Sequence, residues 1–194
     1  MGLKICQVGE PVLRAPAREL RRAEILGRPV QQLIEEMRET MRAAPGVGLA
    51  APQVGEGLRL AVIEDRPDYV AGLSPEACAD RERAAVPFHV IINPRLEAEP
   101  GEEVEFFEGC LSLAGYVALV SRARPVRVTC LDERAEERVI RARGWYARIL
   151  QHEIDHLGGA LYIDRMLTRT FMSAENFARH WADKSPAEVR AALG

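Results

Sequence analysis

His152-Glu153-Ile154-Asp155-His156 is the stretch whose reading decides the fold. Four-residue spacing puts both imidazoles on one face of a helix, and Ile149 extends the same stripe. Leu150, Ile154 and Leu157 form an adjacent apolar stripe, and Gly158-Gly159 ends the helix. The pair of histidines can chelate one ion. Glu153, one residue further round, is close enough to act on a water as general base. The plain alternative is a charged helix that happens to contain two histidines. Against it stand the flanking apolar face and the placement here of two of the chain's 4 histidines.

A catalytic site of this type needs a third protein ligand and an open position for water. The extended pattern HExxHxxGxxH requires histidine six residues after His156; Gly159 is in place, but the position is Tyr162. A downstream glutamate is the second route. Glu175 is at a suitable distance, but Ser173-Ala174-Glu175-Asn176-Phe177 reads equally as the exposed first turn of a helix. The third route is Cys110 in Glu108-Gly109-Cys110-Leu111-Ser112. Its thiolate is a strong, soft ligand, with flexible Gly109 beside it, while the default for a lone cysteine is burial in a core. Both readings of Cys110 stand at this point.

Outward from the helix, residues 28–43 predict a second amphipathic one, with Val30, Leu33, Ile34, Met37 and Met41 at helical spacing and Pro45-Gly46 as its stop. Residues 58–64, 88–92, 117–120 and 125–131 are short apolar or β-branched runs and predict strands. Asp65 to Pro87, rich in Pro, Ala and charge, predicts a long surface insertion. Residues 174–182 predict a helix, and Ser185-Pro186 with Glu188 a capped start for a short tail helix. Strands between flanking helices imply an α+β fold, and the chain reads as a single domain, residues 1–194.

Composition excludes other classes. The chain is 47% hydrophobic and 28% charged, as globular domains are. A net charge of -3 gives no basis for specific nucleic-acid binding, and Arg18, Arg21 and Arg22 read as a solvated face. No apolar run approaches the ~20 residues of a membrane span. The start at Met1 shows neither signal nor transit character, which points to a bacterial cytoplasm, with an organelle as the alternative. Cys6, Cys78, Cys110 and Cys130 are widely spaced, implying reduced thiols. His89 and His180 have no ligand-like spacing and read as structural, as do Trp145, Tyr146, Phe177 and Trp181.

Three motifs together resemble the peptide deformylase family: Gly46-Val47-Gly48-Leu49-Ala50-Ala51-Pro52-Gln53, the EGCLS of residues 108–112, and the HExxH preceded by Gln151 and continued by Leu157. Pro11-Val12-Leu13-Arg14 is similar as well, so the likeness spans roughly residues 5 to 170. The resemblance implies antiparallel or mixed β-sheets around a central helix that carries HExxH. It implies removal of the formyl group from the N-terminal formylmethionine of nascent, ribosome-associated polypeptides. It implies that Cys110, His152 and His156 bind one ion per chain, Fe²⁺ in the cell, with Zn²⁺, Ni²⁺ or Co²⁺ able to substitute. It gives Glu153 the proton transfers, and Gln53 with the Leu111 N–H the developing oxyanion. Val47 and Gly48 would run beside the substrate backbone, and a side chain at Gly48 would intrude on the formyl group. Glu108, Gly109, Arg148 and Ile149 are candidates for the substrate pocket, Arg148 standing equally as an exposed helix residue.

The sequence departs from many bacterial members after EGCLS. Leu113-Ala114-Gly115-Tyr116-Val117 holds neither the Pro nor the substrate-side Arg found there. With the 65–87 insertion and the stretch from Asp164 to Phe171, this resembles the organellar and plant branch. Monomer and homodimer are both compatible with the sequence.

Overall fold

Leu60-Ala61-Val62-Ile63 is apolar at every position, which is the pattern of a strand covered on both faces. The computed structural model, which describes residues 2–193, gives it those two covers; Met1 lies outside the described residues. The helices are α1 (Arg22–Ile25), α2 (Arg28–Ala43), α3 (Pro67–Ala71), α4 (Pro75–Arg81), α5 (Gly144–Leu157), α6 (Ala174–His180) and α7 (Pro186–Leu193). The strands are β1 (Gly48–Ala50), β2 (Leu60–Asp65), β3 (Val86–Ala98), β4 (Glu103–Cys110), β5 (Leu113–Ala123), β6 (Pro125–Leu131), β7 (Glu137–Arg143) and β8 (Met172–Ser173). They form a five-stranded sheet, β1-β2-β3-β6-β7, and a three-stranded sheet, β4-β5-β8. Every strand pair in both is antiparallel, so the mixed alternative for the sheets is not realised among the described residues.

One face of the five-stranded sheet, with Leu49, Leu60, Val62, Val90 and Ile92, packs on Val30, Ile34, Met37 and Met41 of α2. The other face, with Ala50, Ala61, Ile63, Ile91, Val126 and Val128, packs on Ala147, Ile149, Leu150 and Leu157 of α5. Alternation along β2 sends successive side chains to opposite helices. α5 also reaches the smaller sheet: the Gln151 side chain donates to Ala123 O (2.8 Å) and accepts from Ala123 N (3.1 Å). Gln151 thus pairs with the backbone of β5 as a strand residue would. α5 is therefore wedged between the two sheets.

The helix predicted over 28–43 and the strand over 125–131 have those bounds. Other bounds differ. Strand β3 runs on to Ala98 and β5 from Leu113 to Ala123, because ladder hydrogen bonds continue past the apolar core segments into exposed residues. β4 and β7 carry mostly charged or half-buried positions, which hid them from a search for apolar runs. The insertion holds α3 and α4, and is closed by Arg83, which donates from Nε and Nη2 to the two Asp65 oxygens at 2.8 and 2.9 Å. The tail helix has its capping box: Ser185 N donates to the Glu188 carboxylate at 2.8 Å.

Met37 is fully buried between α2 and the sheet. Met37→Ala is expected to lower unfolding free energy by about 2–5 kcal/mol in denaturant titration. Exposed Glu39→Ala on the same helix should stay within about 0.5 kcal/mol.

Candidate metal centre

The site forms where a hairpin of the small sheet meets α5. Register shifts in the β4–β5 ladder between Gly109, opposite Val117, and Cys110, opposite Leu113. Leu111 and Ser112 make the turn, while Ala114-Gly115-Tyr116 bulge out of the ladder, with Gly115 at φ +83°. This bulge aims Cys110 at the helix. Its Sγ lies 3.3 Å from His156 Nε2, and the donor atoms of Cys110, His152 and His156 all lie within 4.8 Å of one another. The two imidazole rings are 5.0 Å apart at 75°.

Glu108 organises what surrounds the cluster. Its carboxylate accepts from both arms of Arg122 (2.9 Å each), from Arg148 Nη1 (2.6 Å) and lies 2.9 Å from His152 Nδ1. Burial works to raise its pKa, but the hydrogen bonds from His152 and Arg122 prevail and hold it well below the ordinary carboxylate range. With Nδ1 engaged there, His152 turns Nε2 towards Cys110, the arrangement a ligating histidine requires. Arg122 continues the chain of charges to Asp155, which also accepts from Arg165 at 2.8 and 2.9 Å.

Glu153 and His156 show what the pocket does to charge. Burial raises the Glu153 carboxyl to about 7 and pushes the His156 imidazole down, so that it is held neutral. Glu153 Oε2 and His156 Nδ1 are buried without hydrogen-bond partners. Two nitrogens and a sulfur converging on one point, with an orphaned carboxylate oxygen beside them, suit a divalent cation with room for water. The residues fit the ion that the motif implies.

The structure brings together most of the sequence-derived candidates. Val47, Gly48, Gln53, Glu108, Gly109, Cys110, Leu111, Arg148, Ile149, His152 and Glu153 all line one cavity of about 470 Å³. Gln53 is buried; Ala50 N donates to its Oε1 (2.8 Å), and its Nε2 donates to Ser112 Oγ (3.2 Å) and towards Cys110 Sγ (3.5 Å). A Cβ on Gly48 would overlap the Glu153 carboxylate, so this glycine makes space first of all for that side chain. Arg148 is not exposed: it is 3% accessible and also donates to Val120 O and Val104 O. Tyr162, at the third-histidine position, stacks on His152 at 6.3 Å instead. Glu175 stands outside the cluster, its carboxylate on Arg179 (2.7 Å). His89 is structural, with Nε2 2.9 Å from Tyr146 Oη. The four thiols are free.

Arg122, Ser112 and the pocket wall formed by Phe107 and Trp145 were not picked out from sequence. Arg122 had a signal. It follows buried Ala118 and Val120 at two-residue steps, on the same strand face.

A family model described as "Polypeptide deformylase" matches residues 2–171. The chain is 46% identical to Peptide deformylase 3 of Streptomyces avermitilis over 99% of this chain and 84% of that protein. It is 43% identical to Peptide deformylase 1A, chloroplastic/mitochondrial, of Arabidopsis thaliana, over 94% of this chain and 68% of that protein. Among solved structures, a class I type b peptide deformylase from Acinetobacter baumannii with Met-Ala-Ser bound superposes with a TM-score of 0.75. It is 30% identical, covering 86% of this chain and 99% of that one.

Glu108→Gln removes the shared counter-charge of two buried arginines. It is expected to cost about 3–5 kcal/mol in unfolding free energy and to weaken divalent-ion affinity about 10–100-fold. A variant as stable and as tight-binding as the parent would show that Glu108 does not hold this network.

Proposed function

The chain belongs to the polypeptide deformylase family, and from that premise we propose how its residues divide the work. The protein is a hydrolase that removes the formyl group from the N-terminal formylmethionine of nascent polypeptides. In our reading, Cys110, His152 and His156 hold one divalent ion, and the observation that carries this is the convergence of their donor atoms within 4.8 Å. Such an ion, when bound, polarises the formyl carbonyl and acidifies a water.

Glu153 takes a proton from the attacking water and delivers it to the amide nitrogen as the C–N bond breaks, leaving formate and a free amine. Its burial supports this role, since a carboxyl raised to about 7 can both accept and return a proton near neutrality. Gln53 Nε2 and the Leu111 N–H donate to the oxyanion as the carbonyl carbon becomes tetrahedral. Gln53 is suited to it because Ala50 N fixes the amide's orientation. β1 is the edge strand of its sheet, so Val47 and Gly48 can pair with an extended substrate backbone. The methionine side chain enters the cavity past Gly109 and Ile149, with Glu108 and Arg148 behind it. The packing of Glu153 against Gly48 leaves little room beside the carbonyl carbon, which favours formyl, carrying only hydrogen, over acetyl.

Residues 1–194 act as one catalytic domain, as monomer or homodimer, on ribosome-associated chains. Relatives occur in bacteria and organelles, and no described helix is long and apolar enough to cross a membrane. We assign this protein to a bacterial cytoplasm. Fe²⁺ is the ion we assign, although Cys/His/His ligation also suits Zn²⁺, and Ni²⁺ or Co²⁺ can substitute.

Formate release from formyl-Met-Ala-Ser tests the assignment. Glu153→Gln should retain one ion per chain by elemental analysis and lose about 10²–10⁴ in kcat. Cys110→Ala should lose the ion or hold it weakly; full metal content with normal turnover would sink the ligand assignment. After anaerobic reconstitution, faster turnover with zinc than with ferrous iron would overturn the choice of metal.

A further inference from the structure

Trp145 opens the helix that carries the histidines and forms part of the cavity wall. No protein group accepts from its indole Nε1–H, which is buried. What fixes the ring comes from the insertion. The guanidinium of Arg83 lies 5.1 Å from the Trp145 ring centroid and that of Arg81 5.6 Å from it. Phe106, on β4, meets Trp145 edge-on at 6.3 Å, and Arg81 also sits 5.7 Å from the Phe106 centroid.

The two arginines differ. Arg83 is committed to Asp65 at the base of the insertion. Arg81 has a buried Nε without a hydrogen-bond partner and is the guanidinium that sits over both rings. It shares Trp145 with Arg83 and Phe106 with Arg148 (5.3 Å), while Asp80 and Cys78 also act on its charge. The backbone beneath is held as closely. A Cβ on Gly144, at φ +56°, would collide with Arg81 O and with Glu82 Cβ. The last turn of α4 is thus seated directly on the first residue of α5.

We infer that Arg81 is a positioning residue for substrate selection: it clamps Trp145 against Phe106 and so sets the width of the pocket for the first side chain of the substrate. The inference rests on the deformylase reading and concerns the insertion, to which that reading gives no task. Arg81 does not contact the substrate. A cation over an indole holds the ring in place through the ring quadrupole, and in a half-buried setting that attraction is little screened. Releasing it lets the indole swing, and the pocket then admits wider side chains than methionine.

The test compares kcat/KM for formyl-Met-Ala-Ser with that for formyl-Phe-Ala-Ser. Arg81→Met keeps an apolar stem but no charge, and should lower the Met/Phe ratio about threefold to tenfold, with the change carried by KM. Arg81→Lys should restore most of the ratio. In a Trp181→Phe background, where Trp145 is the remaining tryptophan, its fluorescence maximum should shift with Arg81→Met and return with Arg81→Lys, without substrate present. An unchanged ratio in Arg81→Met, in an assay where Trp145→Leu lowers it, would overturn the inference. So would an equal fall for both peptides, the mark of a merely structural role. If the parent enzyme releases formate from neither peptide, the deformylase reading falls and this inference with it.

Discussion

The buried carboxylate of Glu108 is the group on which the rest of the site depends. It lies on β4, within the small sheet, and is bound by Arg122 from the neighbouring strand β5 and by Arg148 and His152 from α5. One anion with two guanidiniums would leave a net positive charge in a dry place. Asp155 supplies the second anion through Arg122, and Arg148 also donates to the carbonyls of Val104 and Val120. The penalty for desolvating these charges is met only because their hydrogen bonds form together. The same bonds fix the angle between the small sheet and the helix, and hence the approach of Cys110 to the two histidines.

The chemistry of the pocket follows from that junction. α5 is covered by the large sheet on one side, where buried Glu153 lies against Gly48 of β1, while half-buried His152 and Asp155 reach Glu108 and Arg122 of the small sheet. Burial there drives neighbouring groups in opposite directions: Glu153 upward, His156 downward, and Glu108 downward because its partners outweigh burial. Carboxyls 45 residues apart in sequence, Glu108 and Glu153, thus differ in how readily they hold a proton, because one is saturated with donors and the other has an oxygen with none.

What was legible in the sequence was what local pattern encodes. Spacing placed His152, Glu153 and His156 on one helix, and the apolar periodicity of residues 28–43 defined α2. The fully apolar LAVI run stood out as a strand. Cys110 is different: nothing in its local sequence decides between ligand and core thiol, and the ligand role is only implied by the likeness of its motif. Its approach to the histidines depends on a hairpin register that the sequence does not display. Long-range electrostatics left the weakest trace. Arg122 and Arg148 resemble ordinary surface arginines, since a buried arginine is recognised by its partner, and Glu108 is 14 and 40 residues away from them. Strands β4 and β7 escaped for a related reason: ladder hydrogen bonding rather than apolar burial defines them.

The origin of the three candidate ligands bears on when the site forms. Cys110 comes from the small sheet, and both histidines come from a helix packed on the large one, so an ion bound to all three cross-links two layers of the fold. In small zinc domains that cross-link supplies the folding energy. Here the layers are joined without it: Gln151 pairs with Ala123, Arg148 reaches two β-strand carbonyls, and Tyr162 Oη donates to Tyr116 O at 3.1 Å. The three donor atoms are accordingly held near one another by the protein itself. An ion bound by all three would add a further cross-link to a junction that these hydrogen bonds already hold.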